Sequence, residues 1–407
     1  MPGSLRKYPF PYQSMLAICS DLDETPNKAV YFETIRYLNT DQDTLLGKGV
    51  NLEVGNSIYF SMPEDQFSYL NTDAQGRLRI HQLIASGHID CLHSFGDFVS
   101  SREEIQKYWQ ILRHGSRHIE VWIDHAQSPS NFDTQIMHGL GAIYSSKLYH
   151  CDITCQSGGL AFIWKGRVTS VVAQNSAHSI AGIFNPKKMS TSFKTMALEK
   201  LKYIFGVFGS KKYRMHQRND VLRKTHLHDG TKVYEFMRSN PSYAGVSRFD
   251  CTRGIHKVLN KRMLDTLVKK QGVSILYTHL GKIFSIESPF IDVTRQAFEL
   301  LASYAQNKKI LVASTRRLLG YLRTQKESSY YIEHRGETTI IHLNTPYQGE
   351  DISGLTWYVK YPENVQLYIN DVRFLNLQIN VADQSGQLSV SIPWLDLHFP
   401  SENEGML

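Results

Sequence analysis

Between about residues 14 and 320 the chain alternates short apolar runs with amphipathic stretches. The runs at 15–20, 57–61, 89–92, 119–123, 273–278 and 310–313 have the length and aliphatic character of buried strands. Between them, Tyr31, Ile35 and Leu38 recur at i, i+4 and i+7, and so do Ile105, Trp109 and Leu112. That spacing places each trio on one face of a helix. Alternation of strand and helix predicts βα units and a parallel sheet.

Beyond about residue 325 the helical period disappears. Alternating patterns at 329–334, 338–343 and 388–392 predict a small antiparallel β module over 325–407, beside a barrel-sized domain over 1–324. With 42% apolar and 20% charged residues in 407, the composition is that of a globular protein with a substantial core. Five cysteines without CxxC spacing argue against a disulfide framework or a thiolate zinc site.

The net charge of +7 is concentrated. Residues 187–224 hold eleven Lys and Arg against Glu199 and Asp220, leaving the remainder close to neutral. Such a patch suits an anionic partner, a nucleotide-sugar, an acidic glycan or an anionic lipid surface, more than nucleic acid. Inside it Leu198, Leu201, Phe205 and Phe208 fall at i, i+3, i+7 and i+10, one apolar face on a Lys-rich helix. This face either packs on the protein itself or makes peripheral contact with a membrane. No apolar run reaches the length of a signal peptide or membrane span, so the expected location is cytoplasmic.

In a parallel barrel, reactive groups collect where strands end. Asp21 and Asp23 follow the first strand at i and i+2, so both carboxylates can face one cavity. Two like charges that close call for a cation or a shared proton, one carboxylate holding a metal and the other serving as base. His93 and Asp97 follow the strand at 89–92, and Asp124-His125 follow 119–123. These supply imidazole and carboxylate donors for a three-ligand zinc site with an open position. His279, in Thr278-His-Leu-Gly-Lys, sits on a late strand that returns beside the first and can protonate a leaving amine. Arg238 ends a predicted strand after a turn and can orient the base or grip a substrate anion. Trp122, Tyr149, Trp164, Tyr234 and Tyr277 are candidates to contact sugar rings.

The order Asp21-Leu-Asp23, His93-Ser-Phe-Gly-Asp97, Asp124-His125 and Thr278-His279 resembles the polysaccharide deacetylase superfamily of NodB type, akin to carbohydrate esterase family 4. The resemblance covers roughly residues 14–320. It implies a distorted (β/α)7–8 barrel and a divalent metal held by one Asp and two His. It also implies a second Asp as base and a late-strand His as acid. By that pattern Asp21 is the base, His279 the acid, and Asp23, His93 and His125 the ligands, with Asp97 as the alternative third ligand. Three features depart from the family. Leu22 separates the aspartates, so base and ligand can be exchanged. Asp97 replaces the second histidine of His-x-x-x-His, and the Arg-Pro motif on the fourth strand is missing.

The implied function is metal-dependent removal of an N-acetyl or other N-acyl group from an amino sugar in a polysaccharide, glycolipid or nucleotide-sugar. Two other readings stand beside it. One is a non-catalytic glycan-binding protein on such a barrel. The other is a metal-independent barrel glycosidase with Asp21 and Asp97 as its carboxylate pair.

Overall fold

The structure is a computed structural model and describes residues 3–96, 101–113, 119–124, 129–134 and 138–401. Strands β1 (Ser14–Ser20), β2 (Asn56–Tyr59), β3 (Ile89–Ser94), β4 (Val121–Trp122) and β5 (Phe162–Thr169) follow one another in space. After β6 (Leu222–His226), β7 (Lys232–Ser239) and β8 (Val273–Thr278) complete the ring. Every neighbouring pair around these seven strands is parallel, in the order β1-β2-β3-β4-β5-β7-β8 and back to β1. β6 lies outside, antiparallel to β7. The predicted run at 310–313 becomes β9 (Ile310–Val312), which pairs with the first three residues of β1 while Ser20 at its far end pairs with Asn56 of β2. β7 and β8 close the ring through a single registered pair, Ser239 with Leu276.

Helices α1 (Lys28–Asn39), α2 (Ala74–Ser86) and α3 (Arg102–Leu112) fall in the crossovers after β1, β2 and β3. Each starts where the sequence supplies a cap. Asn27 and Asp73 accept backbone N–H bonds from the first turn, and Ser101 with Glu104 forms a reciprocal capping box. Further on come α4 (Met189–Val207), α5 (Arg214–Arg218), α6 (Lys261–Lys269), α7 (Asp292–Gln306) and α8 (Thr315–Glu327).

The two-residue period of the strands sorts the core into two clusters. Met15, Ala17, Cys19, Phe162, Phe236 and Ile275 fill one, while Leu16, Ile18, Leu92, Ile163 and Leu276 pack in the other with Ile35, Ile80 and Trp109 of the crossover helices. Leu318, Leu319, Tyr321 and Leu322 of α8 join the first cluster. Arg316 of α8 donates its backbone N–H to Asp90 and its guanidinium to Glu120, at the starts of β3 and β4, so α8 covers the amino end of the barrel. The opposite end carries the polar groups.

After α8 the chain forms a four-stranded sheet from β10 (Ser329–Arg335), β11 (Thr338–Asn344), β13 (Val365–Ile369) and β14 (Val372–Phe374). A three-stranded one follows from β12 (Thr356–Tyr358), β15 (Gln378–Asn380) and β16 (Ser389–Ser391). All their pairings are antiparallel except β11 with β13. Ile341, Leu343, Trp357, Leu367 and Val390 belong to the same apolar cluster as α8 and the barrel interior. No described helix is long and apolar enough to cross a membrane.

Candidate functional site

Asp21 is the first residue beyond β1. Inward-facing Met15, Ala17 and Cys19 set the phase that turns its carboxylate into the barrel. Its backbone is fixed by Asp21 N–H donating to Thr278 O at 2.9 Å, and the next residue by Leu22 N–H donating to Ser57 Oγ at 3.0 Å. The same phase on β7 brings Arg238 inward above Tyr234 and Phe236. Arg238 Nη1 donates to Asp21 Oδ1 at 2.6 Å, and both side chains are fully buried. The guanidinium carbon lies 3.7 Å from the Trp164 ring centroid and 4.0 Å from that of Tyr277. Both rings thus turn their faces to it, with quadrupoles of the sign that attracts a cation. Burial works against the charged guanidinium, but the Asp21 carboxylate, with Cys19 and Tyr277, outweighs it and holds Arg238 firmly protonated.

The other Asp21 oxygen faces two imidazoles. His93 Nε2 lies 3.5 Å and His279 Nε2 3.8 Å from Oδ2. His93 is oriented by Tyr59, whose hydroxyl meets the same nitrogen at 3.0 Å and whose ring stacks on the imidazole at 4.1 Å. His279 is held on both sides, with Nε2 3.1 Å from the Tyr277 hydroxyl and Nδ1 3.3 Å from Asp250 Oδ2. Its backbone N–H also donates to Asp250 O at 2.7 Å. Burial lowers the pKa of His279, yet the hydrogen bond to Asp250 and the charges of Asp21, Asp23 and Asp250 reverse this and raise it above the ordinary value.

Asp23 lies one turn outward. Its Oδ2 is 3.3 Å from Lys282 Nζ, which also reaches Glu24 at 3.1 Å. Its Oδ1 is buried without a hydrogen-bond partner among the described residues. Gly281 packs directly under this turn: a Cβ there would stand 2.2 Å from Asp23 O and 2.6 Å from Thr25 Oγ1.

The structure therefore brings Asp21, His93, Arg238, Tyr277 and His279 together, with Asp23 close to them through the same turn. Trp122 is elsewhere. It points to the outer side of β4, fully buried against Phe95, Phe132 and His150. Tyr149 packs in the same outer cluster, whereas Trp164 covers Arg238. Asp97 and His125 lie outside the described residues. Sequence reasoning missed Asp250, Tyr59 and Lys282. Only Lys282 left a signal, three residues after His279 in the same motif.

Asp23 Oδ1 is the kind of unsatisfied oxygen that a cation would take. Among the described residues, however, no three His, Cys, Asp or Glu side chains form a metal-binding group, so those residues alone do not complete a ligand set. What the described geometry does provide is a fixed anion beside a fixed cation, and a histidine whose proton is held by one carboxylate while its other nitrogen faces a second. No family model, curated protein or solved structure matches the chain.

Proposed function

We propose that the carboxyl end of the barrel is the active site of a hydrolase of the NodB deacetylase kind, releasing an N-acetyl or other N-acyl group from an amino sugar. The observation that carries this reading is the convergence on Asp21 of Arg238 from one side and His93 and His279 from the other, with Asp250 behind His279. Amide hydrolysis needs a base for water and an acid for the departing amine, and this arrangement holds candidates for both within 3.8 Å of each other.

Arg238 anchors Asp21 through Oδ1 and leaves Oδ2 facing the histidines, so the carboxylate accepts a proton from water as the water oxygen bonds to the carbonyl carbon. The tetrahedral adduct collapses with cleavage of the C–N bond. His279, protonated and backed by Asp250, gives its proton to the amine nitrogen. Products are the carboxylic acid and the free amino sugar. Tyr277 orients both His279 and Arg238.

The reading includes a divalent cation, zinc in the first instance, with Asp23 and His93 as two donors and His125, or alternatively Asp97, as the third. Bound there, it would polarise the acyl carbonyl and its water. The test combines elemental analysis of the purified protein with acetate release from a panel of N-acetylated nucleotide-sugars and oligosaccharides. Acetate release that is lost in Asp21→Asn supports the reading. Absence of release from every member of the panel overturns it, and a metal-replete His93→Ala overturns the ligand role of His93.

A further inference from the structure

Helix α4 is built inside out. The residues it buries are Ser192, Thr195, Glu199 and Gly206, and two of these, Thr195 and Glu199, are polar groups tied to the barrel and its loops. Thr169 Oγ1 and the Ser170 N–H donate to Glu199 at 2.8 and 3.0 Å, and Thr195 Oγ1 donates to Tyr243 O at 2.8 Å. The opposite face presents Met189, Phe193, Leu198, Leu201, Phe205 and Phe208 to solvent, each between 47 and 84% exposed. A water-facing helix normally shows the reverse pattern. Six large apolar side chains exposed along the side of a nineteen-residue helix away from the barrel are the mark of a contact site on a water-facing surface.

Charge identifies the occupant. Residues 181–218 contain nine Lys and Arg and a single acid, Glu199, which is the buried anchor. Lys187, Lys188, Lys194, Lys200 and Lys211 have no ion-pair partner among the described residues. A second copy of the chain would bring the same cations against themselves, and an ordinary soluble surface offers no anionic plane as long as the helix. An anionic bilayer offers both, acyl chains for the apolar stripe and headgroups for the lysines around it.

We propose that α4 docks the protein on an anionic phospholipid surface. The anchors Thr169 and Ser170 end β5, and Tyr243 lies in the loop after β7, so the helix flanks the carboxyl end of the barrel that carries Asp21. The site would then work at the membrane surface. This placement rests on the helix alone and stands or falls separately from the proposed reaction.

Flotation of the full chain with vesicles of phosphatidylcholine, or of phosphatidylcholine with phosphatidylglycerol, tests it. Recovery with the anionic vesicles alone is expected. The double variant Phe193→Ser/Phe205→Ser and the triple variant Lys187→Gln/Lys194→Gln/Lys200→Gln should each lower the bound fraction about tenfold without lowering the urea midpoint, because all five side chains are exposed. Wild-type protein that stays in solution with anionic vesicles overturns the proposal, as does undiminished binding by folded variants. So does a concentration-dependent dimer in sedimentation that Phe193→Ser/Phe205→Ser abolishes.

Discussion

Arg238 Nη1 and Asp21 Oδ1 meet at 2.6 Å with neither side chain exposed to solvent, so each charge compensates the other where water cannot. Removing one partner strands the second. Arg238→Met should cost about 3–5 kcal/mol of folding free energy. The double variant with Asp21→Asn should recover part of that loss, because no buried charge is left unpaired. A urea-denaturation double-mutant cycle measures the coupling, and strict additivity would refute it. Independently, Asp21→Asn should lower turnover by about 10²–10⁴, the usual range for a missing general base.

The raised pKa of His279 makes a signed statement about pH. Burial opposes the imidazolium, but Asp250, Asp21 and Asp23 more than compensate. The resulting stabilisation is complete below the ordinary histidine pKa and disappears as pH rises through the raised folded-state value. Activity that needs protonated His279 should follow the same alkaline limb. In Asp250→Asn that limb should move to lower pH in both the rate profile and an NMR titration of the ring; an unmoved limb would exclude His279 as the acid.

Gly281 tests positioning without touching a functional group. A methyl at this position would fall 2.2 Å from Asp23 O, so the turn carrying Asp21 and Asp23 must shift. Gly281→Ala should cut kcat/KM by about a hundredfold, in keeping with an ångström-scale misplacement of catalytic groups. Full activity in Gly281→Ala would show that the turn has slack.

Trp357 of β12 is fully buried in the cluster that also holds Leu318 of α8 and Met15 of β1. Trp357→Ala should destabilise by about 3–5 kcal/mol. Because the cluster is continuous, near-ultraviolet and far-ultraviolet circular dichroism should still report one coincident thermal transition. Two separated transitions would show that residues after 325 unfold on their own.

Glu199 carries the helix that faces outward. Burial raises its pKa, and Lys202, His216 and the Ser170 N–H more than offset this, leaving it below the ordinary glutamate value. Its contribution is therefore present above that ordinary value and lost as pH falls through the depressed one. Glu199→Ala should cost about 1–3 kcal/mol by stranding buried donors and should flatten the acid limb of the stability profile. An unchanged limb would assign that acid sensitivity elsewhere.

What could be read from the chain was what local pattern controls. The strand ends at Asp21, His93 and His279 follow directly from short apolar runs, and the turn before β7 shows in Asp229-Gly230. β5 was hidden because its register breaks between Trp164 and Val168, so Lys165, Gly166 and Arg167 interrupt the alternation. Asp250 was invisible for another reason. It reaches His279 through an isolated bridge between Cys251 and His279, a tertiary contact with no local period. The apolar face of α4 was legible, but periodicity does not say which face meets the protein. Thr195 and Glu199 took that role through hydrogen bonds. Three of the seven strands after residue 325 were also legible, those at 329–335, 338–344 and 389–391, whereas the parallel pairing of β11 with β13 and the shared core with α8 depend on packing that no window of sequence contains.

The single registered pair between Ser239 and Leu276 leaves the β7–β8 seam thinly stitched by backbone. Arg238 stands beside that seam, stacked on Tyr277 across it and on Trp164 behind it. Parting the two strands would peel the guanidinium from Tyr277 and pull it away from Asp21, leaving the carboxylate to the imidazoles alone. The reactive ion pair therefore doubles as a side-chain tie across the ring, from β7 to the end of β1.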